Sequence, residues 1–373
     1  MSDAIKAVTM PKWGLAMEEG TLVAWHASEG AQVHAGDDLI DIETTKITNV
    51  MESAAGGTLR RRVVDEGACV PVGALLGVVA DADLPEAEID AFVARFNADF
   101  AVAAAAAAEA GPPEPEVVEA AGNRLSYLRM GDGNPPLVLV HGFGGDLNNW
   151  LFNQPALAAG RATYALDLPG HGRSGKDVGS GDIAALARTL TAFLDVLGLE
   201  QVHLVGHSLG GAIALDLAVR QPERVASLTL ISPAALGGEI NTDYIEGFIA
   251  AGRRKEMRAV LGLLFADPAL VSRDMVEEVL KYKRLDGVAA ALAAIAGAAF
   301  PGGRQSRDLK SCLGDLRMPA QVIWGRQDRI LPVAQGDGLP ANVPLHVLDD
   351  AGHMAHMEAA TQVNALIEGL LGR

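Results

Sequence analysis

The sequence predicts two domains of different class: an all-β sandwich at the N-terminus, followed by an α/β domain with a mostly parallel sheet. The chain has 373 residues, which is more than one hydrophobic core usually organises. Its first part, up to residue 81, contains an internal repeat of β segments separated by glycines. From Asn123 onward, short apolar strands alternate with helical stretches, as in a parallel sheet covered on both faces.

The chain is strongly acidic, with a net charge of −17. Such a surface repels nucleic acid and anionic membranes, so we exclude both as main partners. The N-terminal segment has no apolar signal core, and no apolar run reaches membrane-spanning length. Cys69 and Cys312 lie in different halves and have no metal-ligand neighbours. We therefore expect reduced thiols, a cytoplasmic location and no bound metal.

An internal repeat organises residues 1–81. The segment at residues 20–22, Gly-Thr-Leu, recurs at residues 57–59, an offset of 37 residues. Further identities at this offset are Glu29-Gly30-Ala31 with Glu66-Gly67-Ala68, Val33 with Val70, Gly36 with Gly73 and Leu39 with Leu76. Such a pattern predicts a small sandwich of two similar halves, with chance similarity as the alternative. Between the copies, Lys46 is expected at the tip of a hairpin.

Lys46 lies in the stretch Glu43-Thr44-Thr45-Lys46-Ile47, which resembles the lipoyl domains of 2-oxo acid and acetoin dehydrogenase complexes. The resemblance covers about residues 4–81 and includes Met-Pro-Lys-Trp-Gly at residues 10–14. Thr45 replaces the aspartate usual in that family, and the methionines that flank the lysine of biotinyl domains are absent. The resemblance implies lipoic acid in amide linkage to Lys46, on an arm that carries an acyl group between sites. Without this resemblance, a lysine at the tip of a hairpin would be interpreted as a solvent-exposed charge.

Residues 82–119 are predicted to connect the two domains. Apolar residues at helical spacing predict a short amphipathic helix over residues 85–100, namely Ile89, Phe92, Val93 and Phe96. An alanine run and the proline-rich residues 111–116 follow, which predicts a mobile, semi-rigid linker. The helix is also a candidate for contact with other components of a complex.

The second domain, residues 120–373, is organised around Gly206-His207-Ser208-Leu209-Gly210. An apolar run precedes this stretch and a helical run follows it, so it predicts a strand, a sharp turn and a helix. The two glycines provide the space that such a turn needs. We predict that Ser208 is a nucleophile and that the amide of Leu209, at the helix N-terminus, faces a developing oxyanion.

Loops after other predicted strands supply the partners of Ser208. The glycine-rich residues 141–145 offer the amide of Phe143 as a second oxyanion donor, and His141 is expected to fix that loop. Asp328 and His353 follow two later strands and are predicted to be the acid and the base. A turn role for Asp328 and His356 as the base are the alternatives.

These residues together resemble the α/β-hydrolase family over residues 120–373. The resemblance implies an acyl-enzyme on Ser208, formed from an ester or thioester and resolved by a second nucleophile. It also implies that the helix-rich insertion at about residues 236–315 is a helical cap over the site. Two basic patches in this insertion, residues 253–255 and 281–284, are candidates for phosphate contacts, with a solvated helix face as the alternative.

A lipoyl domain fused to an α/β-hydrolase domain resembles the acetyltransferase components of acetoin dehydrogenase complexes. The resemblance implies acetyl transfer from the lipoyl arm on Lys46 to coenzyme A in acetoin catabolism, through Ser208. It implies a homo-oligomer that works with thiamine-diphosphate-dependent acetoin dehydrogenase subunits and dihydrolipoamide dehydrogenase. The Asp-His-x-x-x-Asp-Gly motif of other acyltransferase components is absent from the sequence. A serine hydrolase or thioesterase that uses water, and a carrier with an inactive hydrolase domain, are the alternatives.

Overall fold

The computed structural model describes residues 5–11, 17, 19–44, 48–110 and 113–372. The chain forms two compact units, Met1–Pro112 and Pro113–Arg373. Lys46, predicted to carry lipoate, lies outside the described residues.

The described residues of the first unit form a sandwich of two four-stranded sheets, ordered β1-β8-β6-β3 and β5-β4-β2-β7. The strands are β1 (Ile5–Thr9), β2 (Glu19–Trp25), β3 (Gln32–Val33), β4 (Asp38–Glu43), β5 (Thr48–Glu52), β6 (Gly57–Arg62), β7 (Cys69–Pro71) and β8 (Leu75–Ala80). Neighbouring strands in both sheets are antiparallel. The all-β class predicted for this part of the chain is confirmed.

The sequence repeat appears in the sandwich as two matching sheets. Strands β2 and β6 hold the Gly-Thr-Leu copies, and β4 and β8 correspond at the same offset. The repeated leucines are fully or almost fully buried between the sheets: Leu22, Leu39, Leu59 and Leu76. Gly36 and Gly73, at equivalent turns, have φ angles of 91° and 85°. Side chains rarely adopt this left-handed conformation, so glycine recurs in both copies.

Helix α1 (Glu86–Ala110) is longer than the sequence predicted. The prediction ended it at residue 100, but alanine has the highest helix propensity and the alanine run continues the helix. Ile89 is fully buried against β8, and Arg61 pairs with Glu86 at 2.8 Å. The apolar face of the helix therefore packs on the first unit, which weakens its candidacy as a contact for other components.

The second unit contains an eight-stranded sheet in its described residues, ordered β16-β15-β14-β13-β11-β12-β10-β9. The strands are β9 (Glu116–Ala120), β10 (Asn123–Met130), β11 (Leu137–Val140), β12 (Thr163–Leu166), β13 (Val202–His207), β14 (Val225–Ile231), β15 (Ala320–Gly325) and β16 (Leu345–Leu348). Only the pairs that involve β10 are antiparallel, so the predicted, mostly parallel sheet is confirmed. Strand β9 begins inside the predicted linker, because it completes the sheet edge beside β10.

Helices cover this sheet and form the insertion between β14 and β15. The helices are α2 (Gln154–Leu157), α3 (Ile183–Val196), α4 (Leu209–Arg220), α5 (Thr242–Ala250), α6 (Arg254–Leu261), α7 (Arg273–Lys283), α8 (Val288–Ala299), α9 (Ala355–Glu358) and α10 (Ala360–Leu371). Helices α5 to α8 make up the helix-rich insertion that the sequence predicted. In the part of the chain that is described, no helix combines the length and the apolar character needed to cross a membrane.

Candidate active site

Ser208 occupies a sharp turn between strand β13 and helix α4. Its φ angle is 54°, a conformation uncommon for residues other than glycine and typical of a strained nucleophile turn. The Ser208 amide donates to the carbonyl of Ile231 at 3.0 Å. A Cβ at Gly206 would overlap the backbone of Gly210, and one at Gly210 would overlap the carbonyl oxygen of Val140. The turn therefore requires both glycines, as the sequence predicted.

His353 and Asp328 form a buried pair at the carboxyl end of the same sheet. The Nδ1 atom of His353 lies 2.8 Å from Oδ2 of Asp328, and the Asp328 side chain is fully buried. The same carboxylate accepts hydrogen bonds from the Trp324 indole and from the amides of Ile330 and Leu331, at 2.8–3.0 Å. Because Nδ1 donates its proton to the carboxylate, Nε2 of His353 is left with a lone pair to act as a base.

His356, the alternative base, lies in a different environment. Its ring is fully buried in helix α9 and sits 4.6 Å from the rings of both Trp150 and His207. Burial lowers its pKa to about 3. Of the two histidines, His353 lines the cavity at Ser208, whereas His356 does not. The geometry therefore favours His353 as the base.

Phe143 and Leu209, the predicted oxyanion donors, lie in the loop after β11 and at the first residue of α4. The Tyr244 hydroxyl donates to the Phe143 carbonyl at 3.0 Å. The next amide, of Gly144, donates to Nε2 of His171 at 3.1 Å. This peptide group is held at both ends, which fixes the orientation of the loop that presents the Phe143 amide.

Two neutral histidines brace the oxyanion loop. His141 donates from Nδ1 to the Gly142 carbonyl at 2.8 Å and accepts the Leu168 amide at Nε2 at 3.0 Å. Burial lowers its pKa to about 4. His171 donates from Nδ1 to the Pro169 carbonyl at 3.0 Å, and burial lowers its pKa well below the ordinary value. The bracing role of His141 was expected from the sequence, whereas that of His171 was not, because its contact with the loop depends on the folded chain.

Ser208 and His353 line one small cavity of about 70 Å³. Pockets for drug-sized ligands are roughly 300–1,000 Å³, so this cavity suits an acyl group of few carbons. Core and cap both contribute apolar walls: Phe143, Tyr244, Phe248, Leu261, Leu264, Phe265, Met275, Val279 and Met354. Such walls exclude water from the reacting atoms.

The basic patches of the cap are largely engaged in local contacts. The ion pairs are Arg253 with Glu256, Arg254 with Glu277 and Lys281 with Glu278. Lys283 donates to the carbonyls of Ile249 and Ala251, near the end of helix α5, and lies 5.4 Å from the Phe248 ring. These contacts favour the structural interpretation over a phosphate site.

Comparisons with known proteins match both units. The family described as alpha/beta hydrolase fold matches residues 135–360, and the biotin/lipoyl family, described as biotin-requiring enzyme, matches residues 6–79. A dihydrolipoyllysine-residue acetyltransferase component of an acetoin cleaving system from Pseudomonas putida is 50% identical over 361 residues, 96% of each chain. The component of the same description from Cupriavidus necator is 44% identical over 374 residues, covering 100% of this chain and 99% of its own.

A solved structure of a meta-cleavage product hydrolase from Pseudomonas fluorescens is also similar. It covers 69% of this chain and 97% of its own, with a TM-score of 0.63 and 23% sequence identity. At this identity the similarity shows a shared fold and carries no statement about substrate.

Proposed function

Because the chain belongs to the α/β-hydrolase-fold family and, over its full length, to the dihydrolipoyllysine-residue acetyltransferase components of acetoin cleaving systems, we propose that it transfers an acetyl group to coenzyme A. Ser208 is the nucleophile, His353 the base and Asp328 the residue that orients it. The observation that carries the proposal is the 2.8 Å bond from His353 to Asp328 beside a cavity that Ser208 and His353 share.

The proposal divides the chain by role. Residues 1–81 are the lipoyl carrier, residues 82–119 connect it, and residues 120–373 carry out acyl transfer beneath a cap at about residues 236–315. The biotin/lipoyl match to residues 6–79 and the helices between β14 and β15 support this division.

Lys46 provides the chemistry that a lipoyl carrier needs. It is the only lysine in the sequence between strands β4 and β5, whose last paired residues are Glu43 and Thr48. Its amine forms an amide with a carboxylic acid, which is the linkage of a lipoyl arm. When attached there, the lipoyl group supplies a sulfur that carries an acetyl group as a thioester. Attachment raises the concentration of that thioester at its partner sites.

Acylation begins at Ser208. Nε2 of His353 takes the hydroxyl proton while Oγ of Ser208 attacks the carbonyl carbon of the acetyl thioester, and Asp328 stabilises the imidazolium. The amides of Phe143 and Leu209 hold the oxyanion. When the tetrahedral intermediate collapses, the carbon–sulfur bond breaks and the leaving sulfur takes the proton from His353. The acetyl group is then an ester of Ser208.

Deacylation uses the same atoms in the reverse direction. His353 takes the proton of the coenzyme A thiol, the sulfur attacks the acetyl carbon, and Oγ of Ser208 leaves with that proton. Water can react at the same position, which would make the protein a serine hydrolase or thioesterase. The apolar cavity walls support the thiol, because they disfavour ordered water beside the ester.

The proposal also includes partners and location. As a component of a multi-subunit system, the chain would receive acetyl groups from thiamine-diphosphate-dependent acetoin dehydrogenase subunits. Dihydrolipoamide dehydrogenase would reoxidise its lipoyl arm. We propose a cytoplasmic homo-oligomer, and its relatives' description as system components supports assembly.

The test follows the products of full-length, lipoylated protein supplied with S-acetyldihydrolipoamide, with and without coenzyme A. We expect acetyl-coenzyme A in the complete mixture and little acetate. Ser208→Ala should lower the rate by about 10³-fold or more, whereas Ser306→Ala, an exposed serine, should not change it. Acetate as the only product would favour the hydrolase, and wild-type transfer by Ser208→Ala would refute the serine mechanism.

A further inference from the structure

Residues 262–266 of the cap, called the clasp below, are hydrogen-bonded to the loop that carries Asp328. Arg329 follows Asp328 directly, and its guanidinium donates to the carbonyls of Gly262, at 3.1 Å, and Phe265. Arg329 therefore joins the acid loop to two points of the clasp.

The clasp is also fastened on both sides of His353. The amide of Met354 donates to the Leu264 carbonyl at 3.1 Å. Glu358 accepts the Gly352 amide with one carboxylate oxygen and the Ala266 amide with the other, each at 2.7 Å. One carboxylate thus joins the residue before His353 to the last residue of the clasp.

The fit between the clasp and the His353 loop leaves no spare room. A Cβ at Gly352 would lie 2.6 Å from the Ala266 nitrogen and 2.8 Å from the Phe265 carbonyl carbon. These distances are below any normal contact, so the two backbones touch directly. A shift of the clasp must therefore displace the loop that positions His353.

The clasp also lines the cavity in which the reaction is proposed to occur. Leu264 and Phe265 line the cavity that contains Ser208, as does Leu261 at the adjacent end of helix α6. The same short segment thus touches both the space for the acyl group and the loops of the acid–base pair.

We propose that the clasp couples the acyl group in the cavity to the His353–Asp328 pair, and that Glu358 and Arg329 are the positioning residues of this coupling. The proposal rests on the acyl transfer proposed above. An acyl group that fits the cavity leaves the clasp in place and His353 aligned. A larger one moves the clasp and misaligns the base. Selectivity for acyl length and the rate of acylation therefore depend on the same hydrogen bonds.

The electrostatics of Glu358 agree with this role. Burial raises the pKa of its carboxyl, while the Ala266 and Gly352 amides and the neighbouring His353 oppose that rise. Asp328 is the other charged group that acts on it, and it raises the pKa further. Both oxygens accept hydrogen bonds, which glutamine cannot reproduce, because its NH₂ group would face an amide donor.

The experiment measures the acylation burst of the full-length chain with p-nitrophenyl acetate and p-nitrophenyl butyrate. Variants are Glu358→Gln, Arg329→Gln and the double variant, and the control is Glu246→Gln, an exposed glutamate on cap helix α5. We expect each single variant to be acylated about tenfold more slowly by p-nitrophenyl acetate and to lose most of its preference for this ester over the butyrate ester. The control variant should behave as the wild type. The double variant should be little worse than the more impaired single variant.

Other outcomes overturn the proposal. Three results would each show that the clasp does not couple the acyl group to the His353–Asp328 pair. They are an equal loss of acylation rate with both esters, additive losses in the double variant, and wild-type behaviour of Glu358→Gln. Arg329→Lys keeps the positive charge but loses the planar guanidinium group. It therefore tests the same difference between the two esters if Glu358→Gln does not fold. A burst that survives Ser208→Ala would instead refute the acyl-enzyme and leave the clasp without a reaction to control.

Discussion

The two units of this protein are built in opposite ways. The first is built by repetition, and its proposed carrier residue, Lys46, lies in the sequence between Glu43 and Thr48, which pair across β4 and β5. In the second unit, Ser208 and His353 are 6% and 1% exposed and are held by loops from several strands. A carrier needs reach, whereas an acid–base site needs fixed geometry and exclusion of water. This difference fits the proposal that one chain divides transport from chemistry.

Histidines show the same contrast. In the first unit, His26 is well exposed, and its hydrogen bond to Asp41, at 2.8 Å, raises its pKa. In the second unit burial lowers the pKa of five of the buried histidines: His141, His171, His203, His207 and His356. Two of these neutral histidines, His141 and His171, support the oxyanion loop of the candidate site.

The sharpest way to separate the two roles is Lys46→Arg. Arginine keeps the charge but cannot be lipoylated, so we expect transfer from the assembled acetoin-cleaving system to fall to background. Hydrolysis of p-nitrophenyl acetate, which needs only the second unit, should stay within about twofold of wild type. Intact mass should show the lipoyl group lost.

Lys6→Arg changes an exposed lysine on β1; it is the matched control for this change and should retain both activities. If Lys46→Arg still supports full transfer by the assembled system, the carrier role assigned to the first unit is wrong.

A smaller effect should come from Phe248→Leu in the cavity wall. The Phe248 ring is fully buried and lies 5.9 Å from the rings of Phe143 and Tyr244. Shortening it enlarges the cavity, so kcat/KM for butyryl relative to acetyl esters should rise about tenfold. Phe193→Leu, equally buried but outside the cavity, controls for loss of core packing. Equal ratios in both variants would show that the cavity does not select acyl length.

The last prediction concerns pH and stability. Each of these five histidines has a lowered pKa in the folded state, so below about pH 6.5 the unfolded state binds more protons. Each then reduces stability by up to about 1.4 kcal/mol per pH unit as pH falls towards its folded pKa. Asp146, Asp167 and Glu358 oppose this loss because burial raises their pKa values, but they are fewer.

Hydrogen exchange of the full chain at about pH 6.5 and pH 5 measures this difference. The second unit should lose protection as pH falls, while the first, where the pKa of His26 is raised, should change less. A greater loss of protection at pH 5 in the first unit than in the second would contradict the contrast between the two units.

Much of the architecture could be predicted from local patterns. The nine repeat identities between residues 20 and 76 and the buried apolar strands such as β11 and β13 are short-range signals, so the two fold classes followed. The length of α1 was missed because alanine propensity was given too little weight beside the prolines. Strand β9 was missed because its strand state depends on pairing with β10.

The candidate site likewise contains residues that the sequence predicted and residues that only the structure revealed. The turn at Ser208 and the chain order of Asp328 and His353 are sequence signals. The contributions of His171 and Glu358 depend on contacts with Gly144 and Ala266, distant in the chain. No local pattern reports such contacts, and the cavity volume follows from the packing of cap on core.

Peptide mass spectrometry after rapid quenching tests whether the acetyl group passes through Ser208. With S-acetyldihydrolipoamide and no coenzyme A, we expect one acetyl group on the peptide that contains Ser208, formed within the first turnover. Adding coenzyme A should remove it and yield acetyl-coenzyme A at the steady-state rate. Steady formation of acetyl-coenzyme A with no acetyl group on Ser208 at any time would show that transfer does not pass through this serine.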